Sequence, residues 1–281
     1  MKYILPNKSL LDKTNDNLDK EYYCLGKLVY HKDFKDNLVI PIGIDDNKEK
    51  YYLDLKKVSG LLITGETGSG KSIYVHSIII SLLLKNNPDD LKFILGDLRK
   101  VELNNYNMLP HLYMNILSSD IDIKYGLNEV INILEERKKI FKNNKVDNID
   151  EYNLNSDLKL SNIIVIIDEI GNLINSKYVL DILNKILDDC YKYGIHFILA
   201  TSSYLKKIKD NKLVNKFNYI LSFDLASNEQ ASILKIKGSD LLSIEGDALV
   251  KCRNNEIINL QTPYVSLEDI ENVIKFIKNN N

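Results

Sequence analysis

Apolar positions along the chain follow two rhythms, short unbroken runs and longer stretches with a period near 3.6. Unbroken runs occupy residues 38–44, 51–55, 60–64, 91–95, 163–167 and 195–200, with weaker ones at 219–223, 248–251 and 257–260. Turn-forming residues such as Asp45-Asp46-Asn47 separate them, so they read as strands. The unmixed, β-branched run 163–167 is expected to lie centrally in a parallel sheet. The periodic stretches predict a helix over 72–85, stopped by Asn86-Asn87-Pro88. A second begins near Asp122 and keeps Ile123, Leu127, Val130, Leu134 and Phe141 mostly to one face. A third runs from about 179 to 193, ending at Gly194, and a last one covers 267–277. Residues 142–162, rich in Asn, Asp and Lys, read as a long surface connection. Strands alternating with helices over this length predict a doubly wound α/β domain.

One loop in this pattern carries chemistry. Gly65-Glu66-Thr67-Gly68-Ser69-Gly70-Lys71-Ser72 fits G-x-x-x-x-G-K-[ST] and stands between a predicted strand and a predicted helix, the context a phosphate loop requires. Its glycines let backbone N–H groups turn inward toward phosphate oxygens, assisted by the positive end of the helix that follows. Lys71 is assigned to the β- and γ-phosphates of ATP and the Ser72 hydroxyl to Mg²⁺. The run 163–167 ends in Asp168-Glu169, placing two carboxylates at the end of a buried strand. Asp168 suits Mg²⁺, directly or through water, and Glu169 suits the general base that polarises the attacking water. The run 195–200 ends in Thr201-Ser202, hydroxyls that fit either a γ-phosphate sensor or a turn cap.

Composition narrows the alternatives. A net charge of −2 and a pI near 6.1 make no global case for nucleic-acid binding, so a DNA contact has to come from a local patch or from assembly. Cys24, Cys190 and Cys252 show no pairing pattern, and no histidine stands at ligand spacing from a cysteine. The longest apolar run, 75–84, is about half of the roughly 20 residues that a membrane span needs. With no apolar signal core in MKYILPNKSLLDK, a cytoplasmic location is expected.

Taken in order, GETGSGKS (65–72), FILGDLRKVELNNYNMLPHL (93–112), EERKKIFKNNKVDNIDEYN (135–153), IIVIIDEIGNLI (163–174) and YGIHFILAT (193–201) resemble the motor domain of FtsK/SpoIIIE DNA translocases. A weaker likeness runs from Ala231 to Leu249. The second and third segments are similar to that family rather than to P-loop proteins at large. The resemblance implies a RecA-like P-loop NTPase, α/β, with a mostly parallel sheet flanked by helices. It implies an arm or small substructure at 1–37, the ATPase domain at 38–262 and a C-terminal helix at 263–281. It further implies an ATPase that uses ATP and Mg²⁺, translocates double-stranded DNA as a homo-oligomeric ring, a hexamer in this reading, and works beside a membrane-anchored or secretion-channel partner. A conjugative coupling protein, a type VII-like protein-export ATPase and a nucleotide-binding subunit with weak activity stand as alternatives. Two departures matter. Ser202-Ser203-Tyr204 replaces the Gln-Arg-Pro usual after the sensor Thr, and no arginine lies between Arg137 and Arg253, where the family has one resembling a trans-acting finger. Lys212, Lys216 or Arg253 would have to substitute, or the enzyme is slow.

Overall fold

The computed structural model describes residues 3–11, 23–29, 36–202 and 213–280; Lys212 and Ser203-Tyr204 lie outside them. In chain order come β1 (Tyr23–Cys24), α1 (Leu25–Val29), β2 (Val39–Ile44), β3 (Lys50–Asp54), β4 (Gly60–Thr64) and α2 (Lys71–Leu83). They are followed by β5 (Leu91–Asp97), α3 (Asp120–Asn144), α4 (Ile149–Asn155), β6 (Asn162–Asp168), α5 (Lys177–Ile186) and β7 (Ile195–Thr201). Last come β8 (Tyr219–Ser222), α6 (Asn228–Leu234), β9 (Asp247–Lys251), β10 (Ile257–Gln261), β11 (Pro263–Tyr264) and α7 (Leu267–Asn280). The chain is thus an α/β protein whose strands are flanked by helices. It packs as two compact units, one of Met1–Leu55, Ile63–Asn87 and Tyr219–Asn281, the other of Lys56–Leu62 and Pro88–Asn218.

In the first unit β3, β2, β10, β9 and β8 pair antiparallel in that spatial order. The amide of Phe223, just past β8, donates to the Thr64 carbonyl at the end of β4. Helix α2 is apolar nearly all round because it is buried all round, with Tyr74, Ile78, Ile80, Leu82 and Leu83 all fully buried. Its three buried hydroxyls find partners as burial demands: Tyr74 Oη donates to Pro41 O at 3.3 Å, Ser77 Oγ to Pro263 O at 2.8 Å and Ser81 Oγ to Ile78 O at 2.8 Å. Helix α7 lays Ile270, Val273, Ile274 and Ile277 inward and packs on α2.

In the second unit β5, β6 and β7 are parallel and in register, and Ser59 O, before β4, accepts from Phe197 N of β7 at 3.1 Å. Every residue of 163–168 is buried, as expected for a central strand. The outer edge of β5 is covered rather than left open. Residues 111–117 run beside it, with bonds from Phe93 N to His111 O, Tyr113 N to Phe93 O, Leu117 N to Leu95 O and Asp97 N to Leu117 O. The Pro110-His111-Leu112 text of the second likeness segment therefore closes a sheet edge.

The third likeness segment has an equally plain packing role. Arg137 of α3 is 5% exposed, and its guanidinium donates to the carbonyls of Tyr193, Gly194 and Ser161 at the start of β6 and β7. Burial lowers its pKa to about 10, so it stays charged. Gly194 has φ +68°, and a Cβ there would lie 2.3 Å from Ile149 Cδ1, so only glycine fits beneath α4. Phe141 stacks between Tyr152 and Tyr193, at ring-centroid distances of 5.6 and 5.1 Å.

Two expectations change. Residues 142–162 are not one loop: α3 continues to Asn144, and α4 forms with Asn148 Oδ1 accepting from Glu151 N at 2.9 Å. The third helix is shorter than its pattern, since α5 stops at Ile186 and a 3₁₀ turn spans Cys190–Tyr193. Among the described residues no helix is long and apolar enough to cross a membrane.

Candidate functional site

Residues 65–72 fold in the first unit as a tight loop between β4 and α2. Gly65 has φ +149°, and a Cβ there would meet Phe223 Cβ at 2.6 Å, so the loop begins where no side chain fits. Glu66 N donates to Asp224 O at 2.7 Å, Ser69 N to Glu66 O at 3.2 Å and Gly246 N to Ser69 O at 3.2 Å. The first and last of these bonds pin the loop to segments beside β8 and β9 that arrive much later in the sequence. Gly70, left-handed, occupies the N-cap position of α2. Lys71 Nζ curls back over the loop to Glu66 O at 2.7 Å, which puts its charge inside the turn. Thr67 and Gly68 form the exposed crest, and Ser72 stands half-buried on the first turn of α2. The arrangement is an anion cradle: a lysine and the N-terminal turn of a helix converge on one spot.

Asp168, Glu169 and Thr201 come together in the second unit, at the C-terminal ends of β6 and β7, where parallel sheets bind ligands. Asp168 is 3% exposed, and its Oδ2 is buried with no hydrogen-bond partner. Burial raises its pKa to about 6, against the pull of Arg99. A buried, orphaned carboxylate oxygen is what a cation site leaves behind, so the residue fits Mg²⁺. Its neighbour across the sheet, Asp97, is already spent. That carboxylate accepts the amides of Arg99 (3.1 Å), Lys100 (2.9 Å) and Leu103 (2.9 Å), and so shapes the turn after β5.

Glu169 takes the left-handed backbone conformation, φ +61°, directly after β6. Its carboxylate accepts from Ser202 N at 3.1 Å to each oxygen, from Ser202 Oγ, from Thr201 Oγ1 at 3.4 Å and from Arg99 Nη2 at 2.6 Å. Burial pushes the Glu169 pKa up, but the Ser202 and Arg99 donors outweigh it and hold the group below the ordinary glutamate value. Arg99 was not among the residues singled out from sequence.

Of the residues considered for the missing finger, Lys216 donates to Asn184 O at 2.6 Å and pairs with Asp188, whereas Arg253 is exposed between β9 and β10. A cleft of about 790 Å³ in the second unit lies at the opposite, N-terminal edge of β6. Two pairs of its lining charges neutralise each other, Lys56 with Asp150 at 2.8 Å and Lys138 with Asp189 at 3.8 Å.

The orphaned oxygen makes a prediction for protein free of metal and nucleotide. An acid whose pKa rises from about 3.9 unfolded to about 6 folded destabilises the fold once pH exceeds both values. That cost fades as pH falls through 6 toward 4. Asp168→Asn is therefore expected to raise unfolding free energy by about 3 kcal/mol at pH 7.5 and by only about 0.5 kcal/mol near pH 4, measured by urea melts.

The FtsK/SpoIIIE family model matches residues 29–234. The DNA translocase FtsK of Streptococcus pneumoniae is 32% identical over 290 residues, covering 98% of this chain and 38% of its own length. That of Lactococcus lactis is 34% identical over 255 residues, covering 86% and 33%. The chain thus spans well under half the length of these relatives. Among solved structures, the pCW3 conjugation coupling protein TcpA with ATPγS superposes with a TM-score of 0.78 at 18% identity, over 92% of this chain and 74% of its own. The type VII secretion ATPase EccC of Thermomonospora curvata gives 0.76 at 17% identity, over 99% and 34%. These two show a shared fold.

Proposed function

The chain belongs to the FtsK/SpoIIIE family, and from that premise we propose that it is an ATP-driven motor that moves double-stranded DNA, working in the cytoplasm as a ring of identical subunits, six in our reading. What carries the reading is that curated DNA translocases align with this chain along 98% of its length, phosphate loop and acidic strand end included. The loop 65–72 supplies the chemistry: its inward-turned lysine suits a polyphosphate better than any uncharged ligand. Ser72 and Asp168 are the residues that would hold Mg²⁺, whose charge would help neutralise the phosphates. Lys71 neutralises the β- and γ-phosphates. Glu169 takes a proton from the attacking water, and Thr201, whose hydroxyl reaches that carboxylate, senses the terminal phosphate. A membrane-anchored or secretion-channel protein is the further partner in this reading.

The test is ATP hydrolysis by purified protein with and without linear duplex DNA. Stimulation of at least about fivefold by DNA is expected, falling as salt rises because phosphate contacts release counterions. Hydrolysis indifferent to DNA but raised by a secretion-signal peptide would replace this reading with protein export. Nucleotide binding without turnover under either condition would reduce the chain to a nucleotide-binding subunit.

A further inference from the structure

A carboxylate offers about four lone-pair sites, and a general base must keep one open for the proton it removes. Glu169 keeps none. Oε1 accepts from Ser202 N and Thr201 Oγ1, while Oε2 accepts from Ser202 N, Ser202 Oγ and Arg99 Nη2. Two of these donors, Arg99 and the Ser202 hydroxyl, also bond each other at 3.1 Å, closing a three-member ring around Oε2. The backbone of Arg99 cannot drift, because Asp97 holds the amides of Arg99 and Lys100. Its guanidinium, by contrast, is about one-third exposed, and a guanidinium carries five N–H donors.

Resting on the ATPase reading above, we infer that Arg99 and Ser202 are positioning residues that park the general base, so that Glu169 accepts no proton until the Arg99 guanidinium is drawn off by a competing phosphate. Arginine suits the task. It grips a carboxylate firmly and it grips phosphate oxygens at least as well, so one side chain can be exchanged between the two. The phosphate we assign is that of the DNA backbone, which would make DNA contact the release signal. The same arginine would then restrain turnover in the free protein and permit it in the loaded one.

The experiment compares steady-state hydrolysis, with and without linear duplex DNA, in the wild type, Arg99→Ala, Arg99→Lys and Ser202→Ala. Loss of one charge-assisted bond should raise the DNA-free kcat of Arg99→Ala about tenfold, leave KM for ATP within about twofold, and bring DNA stimulation close to unity. Ser202→Ala should show a smaller rise, and Arg99→Lys less than Arg99→Ala, since the ammonium still reaches Glu169 as a point charge. A DNA-free kcat in Arg99→Ala at or below that of the wild type overturns the inference. So does a rise that leaves the stimulation ratio intact, because the latch would then not be what DNA releases. A wild type that hydrolyses ATP in response to DNA, beside an Arg99→Ala that does not rise, removes the latch and spares the motor. A wild type inert under every condition removes both.

Discussion

Glu169→Gln is expected to lower ATP turnover by about 10³-fold, with ATP affinity changed by less than about threefold. The substitution keeps the shape of the side chain and can still accept from Ser202 and Thr201, but its amide cannot take a proton from water at neutral pH. It lies just past the C-terminal end of β6 rather than within the strand, so melting should be little changed. Single-turnover hydrolysis and fluorescent-nucleotide titration together check this. A parallel loss of affinity would mean that Glu169 binds the ligand rather than activating water. Lys71→Ala should differ in kind, losing binding as well as turnover, because the charge it removes lies inside the phosphate loop.

The second large effect concerns stability. Arg137→Leu should cost about 3–5 kcal/mol of unfolding free energy, read by urea or thermal melts. The guanidinium is the donor for three carbonyls at the start of two central strands, in a place that solvent scarcely reaches. Leucine fills much of the volume and leaves those oxygens with one donor fewer each. Lysine would rescue only in part, since one ammonium cannot span Ser161 and Tyr193 as a planar fork does. A variant melting with the wild type would show that ordered water replaces the side chain.

Most of the architecture was legible because burial writes itself into the sequence twice, as run length and as period. Residues 163–167 were expected as a central strand and 195–200 as a strand, and both form fully buried strands. What escaped was local or long-range. Helix α4 is too short to show a period; its signal was Asn148 followed three residues later by Glu151, a capping pair inside a polar stretch. The antiparallel pairing of β9, β10, β2 and β3 was out of reach, since it depends on partners as far apart as Gln261 and Ile44. The phosphate loop was readable because its chemistry lies in eight consecutive residues. Arg99 was not, because it meets Glu169 from 70 positions away and only the Asp97 turn aims it there. The substitutes that the family pattern suggests, Lys212, Lys216 and Arg253, all lie far along the chain from Arg99, which stands at the acid.

The first unit is assembled from three separate stretches of chain, and its phosphate loop is braced by Phe223, Asp224 and Gly246. A ribosome delivers the loop more than 150 residues before those braces. The second unit, nearly all of it within Pro88–Asn218, emerges in between and is expected to close first. Nascent chains halted near residue 218 should therefore already resist protease over the parallel strands while failing to retain nucleotide. Binding competence would appear late and abruptly, once residues 219–262 have left the exit tunnel, so that a partly made chain cannot retain nucleotide.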